Sequence, residues 1–217
     1  STEIKERVFH SFHRVPITVE ELQLKETTGT HQRVIDMVAH ELITKERIEE
    51  WKELPGVAPG VDISRDIVKL AAIERHKNTG HVGLGFLGKY GLKKGAVATS
   101  IGHDSHNLVI AGVTDEDMVL AGNRVIENGG GLAIALEGKV LADLPLPIGG
   151  LMADEPVEVV DEKLEHMKKL SVELGISEDI DAFMTLAFIS LPVIPKLRLN
   201  TYGVVDVEKH QVVEARF

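Results

Sequence analysis

Cysteine is absent from the 217 residues. That excludes disulfides and thiolate-held metals, and with them the deaminases whose zinc needs a Pro-Cys-x-x-Cys segment. It suits a reducing compartment, so a cytoplasmic protein is the expectation. Aromatic residues make up only 4% of the chain, too few for a base-stacking platform. Bases are outnumbered, 24 against 34 acids, for a net charge of −10. A field of that sign repels phosphate backbones, so no nucleic-acid partner is expected. No apolar run reaches the roughly 18 residues of a membrane span, so no membrane partner is expected either. "STEIKERVFHSFHR" lacks the apolar stretch of a secretory leader. P-loop, dinucleotide fingerprint, Gly-x-Ser-x-Gly elbow and His-x-His pair are all missing, and "HELIT" (His40 to Thr44) lacks the second histidine of a zincin.

What remains reads as an α+β domain with a mixed, largely antiparallel sheet and flanking helices. Residues 1–30 form a connecting arm with a brief helical turn at Thr18–Glu21, a capping-box spacing. His10 and His13 sit in that arm as solvated side chains. The domain proper then runs over 31–217. "RVIDMVA" is a strand, and Thr44 caps a short helix through "KERIEEW". "LPGVAPG" is a loop. "DIVKLAAIERHK" is a buried strand with a polar tip. "NTGHVGLGFLGKYGLKKG" holds six glycines in eighteen residues, which suits a loop or a close backbone approach.

"GAVATSIG" and "NLVIAGV" are apolar strands. "TDEDMVLAGNRVIENGG" is an amphipathic helix capped by Thr114, with acids in its first turn and glycines at its end. "LAIALEGKVLADLPLP" is a hairpin across Glu137-Gly138. Asp154 to Gly175 is a second helix with Pro156 in its first turn. The apolar run Phe183 to Leu199 is broken by Pro192 and Pro195, and "GVVDV" is a final strand.

Chemistry concentrates in "SIGHDSHN" (Ser100 to Asn107), between two of these strands. In an extended strand His103 and His106 would face opposite ways, whereas a tight turn lets both imidazoles converge. His103, Asp104 and His106 are therefore the catalytic candidates, able to move protons or to hold one divalent ion. As metal ligands, His103 and His106 lack an identifiable third partner. Ser105 and Asn107 of the same turn are substrate-binding or site-closing candidates, the alternative being a turn that satisfies its own backbone. Glu74, Arg75 and His76 form a second cluster at a strand end. They gain a substrate-binding or site-closing role only if they meet the first cluster in space; otherwise they are a surface ion pair.

The longer phrases carry a resemblance. "DIVKLAAIERHKNTGHVGLGFLGKYGLKKGAVATSIGHDSHNLVIAGVTDEDM", "GGGLAIALEGKVLADLPLPIGGLMADEP" and "FMTLAFISLPVIPKLRL" resemble the C-terminal domain of bacterial and archaeal adenine deaminases, of the amidohydrolase superfamily. The likeness runs from about Val15 to Val207, with Gly102, Ala153 and Ala187 as small-for-small departures from Ala, Ser and Ser. It implies hydrolysis of adenine to hypoxanthine and ammonia by metal-hydroxide attack at C6. It also implies Mn2+ or Fe2+ bound by an N-terminal (β/α)8 barrel that is not part of these residues. The chain would then assist assembly and closure of that barrel's site and be inactive alone, with adenine, the barrel and further copies of itself as partners. The alternatives are a stand-alone purine-binding module and a metal-dependent hydrolase built on the HDSH turn.

Overall fold

The computed structural model describes residues 2–217. After helix α1 (Thr2–Phe9), a 3-10 turn at Glu20–Leu22 leads into strands β1 (His31–Met37) and β2 (Thr44–Glu50). Strands β3 (Ile67–Ile73), β4 (Val82–Gly88), β5 (Ala96–Thr99) and β6 (Leu108–Gly112) follow. Then come helix α2 (Asp115–Glu127), the hairpin β7 (Gly131–Leu136) and β8 (Lys139–Pro145), and helices α3 (Val157–Glu173) and α4 (Ala182–Ile189). Strands β9 (Leu197–Asn200), β10 (Gly203–Asp206) and β11 (Gln211–Val213) close the chain. Among the described residues no helix is long and apolar enough to cross a membrane.

Eight strands form one open sheet in the order β2-β1-β4-β3-β6-β5-β7-β8. Every neighbouring pair is antiparallel except β1 with β4. The fold is thus the α+β class that the pattern predicts. Period-two alternation divides the sheet's side chains between two cores. Leu70, Val97, Val109 and Ile134 join the core under α3, α4 and the small sheet β9–β11. Ala71, Ala98, Ile110 and Ala133 face α2 instead. The arm closes this second core, because Ile17 and Leu22 are buried in it and Asn123 of α2 exchanges hydrogen bonds with the Ile17 backbone at 2.8 and 3.0 Å.

Several elements form as the residues predict. Thr114 accepts from Asp117 N at the start of α2. Glu137 and Gly138 both take positive φ, the twist a two-residue hairpin turn requires. Glu21 accepts from Thr18 N at 3.0 Å, one half of the capping box.

Two segments depart from expectation. Thr44–Glu50 is an edge strand, not a capped helix. Its charges pair across to β1, Arg47 with Asp36 and Arg33 with Glu46, and its Thr44 hydroxyl donates to Leu197 O at 2.8 Å. Cross-strand ion pairs on a solvated edge look like helix spacing when read one strand at a time. The glycine-rich stretch contains a full strand, β4, rather than a loop. Its glycines serve close approach: a Cβ on Gly83 would strike the Asn200 carbonyl of the small sheet lying across it. The apolar run Phe183 to Leu199 divides at Pro192 and Pro195 as read: helix α4 precedes them, capped by Asp181, whose carboxylate accepts from Phe183 N and Met184 N, and strand β9 follows.

Candidate functional site

Strand β3 ends at Ile73, and its partner β6 begins at Leu108, so the segments 74–76 and 102–107 emerge side by side at the same end of two central strands. They meet through Arg75. Its side chain is only 1% exposed. Nε donates to His106 O at 2.6 Å and Nη2 to Gly149 O at 3.0 Å, while Nη1 points at Ser11 from 3.4 Å. Phe12 covers the guanidinium with its ring centroid 4.9 Å away, and His13 N donates to Arg75 O at 2.8 Å. One buried cation therefore ties the arm, the β3 tip, the HDSH turn and the "PIGG" loop together. No carboxylate pairs with it among the described residues. Burial pulls its pKa down to about 10, with the neighbouring Glu74 opposing.

Glu74 turns out to organise backbone. Burial works against its charge, yet the amides of Thr79, Lys77 and His76 and the Thr79 hydroxyl outweigh that and bring its carboxyl to about 2. The distances are 2.6 to 3.0 Å. This clamp shapes the 74–79 loop and leaves no lone pair aimed outward for a substrate. His76 does reach the other cluster: its Nε2 lies 2.7 Å from Ser105 O. A carbonyl only accepts, so that nitrogen carries the proton.

The HDSH turn is built from one end of α4 and two left-handed residues. His103 N donates to Ala187 O at 2.9 Å, His106 N returns to Gly102 O at 2.9 Å, and Asp104 and His106 take φ of 65° and 47°. Gly102 fits because a Cβ there would lie 3.2 Å from Ser190 Oγ. Behind it, Ser100 Oγ donates to Gly150 O at 2.6 Å and accepts from Gly131 N at 2.8 Å. Gly150 needs both its positive φ of 75° and its missing side chain, since a Cβ would meet the Arg75 guanidinium at 2.7 Å.

The two histidines of the turn have different surroundings. The His103 side chain is half exposed and its ring lies 5.3 Å from that of Phe188, with Nδ1 3.6 Å from Asp104 Oδ1. His106 Nδ1 and Asn107 Oδ1 are buried and make no hydrogen bond. Burial, then the charges of Arg75 and His76, lower the His106 pKa. Outward remain His103, Asp104, Ser105 and His76. Among the described residues no three His, Asp or Glu side chains converge as a metal would require. With His106 Nδ1 turned into the protein and His103 against Phe188, this donor set does not fit a manganese or iron ion.

His106 should accordingly stay neutral at pH 7. An NMR titration of its ring should give a midpoint below the ordinary 6.5. A folded value below the unfolded one contributes stability that is full above pH 6.5 and fades as pH falls through the folded midpoint. A midpoint at or above 6.5 would contradict this environment.

Sequence reading named the turn and the tip but not what joins them. Ser11 and Phe12 of the arm, Ser100, and the Gly149-Gly150 pair are all structural partners of Arg75 or the turn. Of these, only the double glycine carries a sequence signal, since adjacent glycines permit a turn or a close backbone approach.

Comparison with known proteins places this geometry in a lineage. Residues 41–211 match the model of the adenine deaminase C-terminal domain. Adenine deaminase 2 of Carboxydothermus hydrogenoformans is 48% identical over 181 residues, which cover 83% of this chain and 32% of that protein. The adenine deaminase of Kosmotoga olearia is 48% identical over 185 residues, 85% of this chain and 32% of its own length. That of Lysinibacillus sphaericus is 40% identical over 208 residues, 95% and 36%. The chain thus spans about a third of the length of these curated relatives. An open sheet without a barrel, ending in a knuckle of polar turns tied by Arg75, is the form these residues give to a member of the adenine deaminase C-terminal domain family.

Proposed function

We propose that this domain serves an adenine-hydrolysing enzyme by completing and closing a site whose chemistry resides in a separate catalytic segment. The observation that carries the reading is the knuckle itself. Arg75 and the Glu74 clamp hold His103, Asp104, Ser105 and His76 on the outside in a fixed arrangement, with no partner among the described residues for most of their side-chain polar atoms. A rigid polar tip of this kind costs conformational freedom in advance, which is useful only where a second surface or a ligand meets it. The relatives' names supply the reaction class, hydrolysis of the adenine amine, and their length supplies room for the catalytic segment. The (β/α)8 barrel, manganese or iron held there, assembly into a homo-oligomer and a cytoplasmic location belong to the same proposal. The isolated domain is then inactive on adenine, because its own histidines do not form a metal site.

The test is made in a full-length polypeptide carrying this domain behind its catalytic segment. His103→Ala should lower kcat/KM for adenine about tenfold, roughly 1.4 kcal/mol of transition-state binding, at unchanged melting temperature. Wild-type kinetics would make the turn purely architectural.

A further inference from the structure

Helix α4 has an unusual composition for a surface element. Its eight residues, "AFMTLAFI", include no charge, and Thr185 is the one side chain with a hydrogen-bonding group. A helix apolar on all sides is normally enclosed. Here Met184 is 49% exposed. Opposite it, the β1–β2 connection offers Leu42 at 54% and Ile43 at 39% exposure. Between them lies a cavity of about 190 Å³ lined by these residues, Phe188 and Arg198. A second cavity, of about 370 Å³, shares Met37, Leu42, Asp181 and Thr185 with the first, so the two form one groove.

Arg198 gives the groove a polar anchor. The residue is 1% exposed and forms no ion pair among the described residues. Nε donates to Ile194 O at 2.8 Å and Nη2 to the Leu42 carbonyl, whereas Nη1 has no hydrogen-bond partner among the described residues. Its two protons remain for an acceptor brought into the groove. The carboxylates of Glu41 and Asp181 also line the groove, so an anionic guest would be repelled. A neutral carbonyl oxygen on an apolar segment suits both features.

We infer that this groove is the seat of the catalytic segment that accounts for the other two thirds of the relatives' length. This rests on the proposed function and adds its docking surface: an apolar stretch of that segment lies between α4 and residues 42–43, with one carbonyl oxygen on Arg198 Nη1. Continuity favours this occupant over others. The same α4 that floors the groove bonds His103 N through Ala187 O and lays Phe188 beside the His103 ring. A segment seated on α4 therefore arrives directly at the HDSH turn.

The cysteine-free chain makes the test clean. Single variants Met184→Cys, Ile43→Cys, Ser105→Cys and Val212→Cys are labelled with a maleimide, in the 217-residue chain and in the full-length polypeptide. Labelling is read on the domain's own peptides. Positions 184 and 43 should label readily in the isolated chain and at least tenfold more slowly in the full-length protein, with Val212→Cys unchanged. Equal rates at 184 and 43 with slowing at 105 overturn this docking surface but leave the closure reading standing. Equal rates at all three overturn both. Slowing at 184 and 43 in the isolated chain as its concentration rises assigns the groove to a second copy and overturns the inference.

Discussion

Arg75→Met should lower the stability of this domain by about 3 kcal/mol in urea unfolding, with little change in slope. The residue is fully enclosed, and its two short hydrogen bonds run to the carbonyls of His106 and Gly149. A buried acceptor stripped of its donor costs about 1–3 kcal/mol. The contacts to Ser11 at 3.4 and 3.5 Å are too long to add much. One opposing effect is real. Burial holds the guanidinium down at about 10, so folding already works against its charge, and removing it returns part of the loss. Two orphaned carbonyls and a cavity beside Phe12 outweigh that recovery. Arg75→Lys should rescue little, because one ammonium cannot serve acceptors on both arms of a planar fork. In the same variants the amide resonances of residues 103–107 should shift and broaden, since the His106 carbonyl anchors the turn. A loss under 1 kcal/mol would show that the knuckle holds its shape without this arginine.

That hub shows where the sequence was legible and where it was not. Strands β3, β5 and β6, helix α2 and the β7–β8 hairpin are written in local terms: apolar runs, a Thr114 cap, a Glu-Gly turn. They were readable because propensity, period and punctuation agree there. Segment 44–50 was not, because its pattern is decided by the partners Arg33 and Asp36 on another strand. Strand β4 was hidden by Gly83 and Gly85, which are present because the small sheet crosses over them. The candidate site followed the same rule. Its titratable residues stood out as a cluster, while the arginine's acceptors are backbone carbonyls at His106 and Gly149, which no residue type announces. Glu74 shows the converse: its acid looked like a candidate for substrate, and four local donors consume it.

The second large effect lies further along β3, where the strand faces α2, at Asp115. Lys69 projects from β3 toward α2, and its Nζ is 2.7 Å from Asp115 Oδ1, with side chains only 2% and 6% exposed. Gln23 of the arm donates to the other carboxylate oxygen at 2.8 Å. Asp115 also opens α2, where the helix dipole favours its charge. Asp115→Ala should therefore cost about 3–5 kcal/mol, the usual penalty for leaving one member of a buried pair uncompensated. The pH dependence gives the mechanism away. Burial already lowers the Lys69 pKa against the pull of Asp115, and removing the carboxylate lowers it further. A lysine whose folded pKa lies below its unfolded value loses stability as pH falls through the folded value and regains it toward alkaline pH. The deficit of Asp115→Ala should thus shrink between pH 7 and about pH 10. The double variant Lys69→Met, Asp115→Leu should stand within about 1 kcal/mol of the parent, because two apolar side chains need neither partner nor hydration. If the double variant is as unstable as the single one, the pair contributes its own net attraction, and the loss does not come from a stranded ammonium.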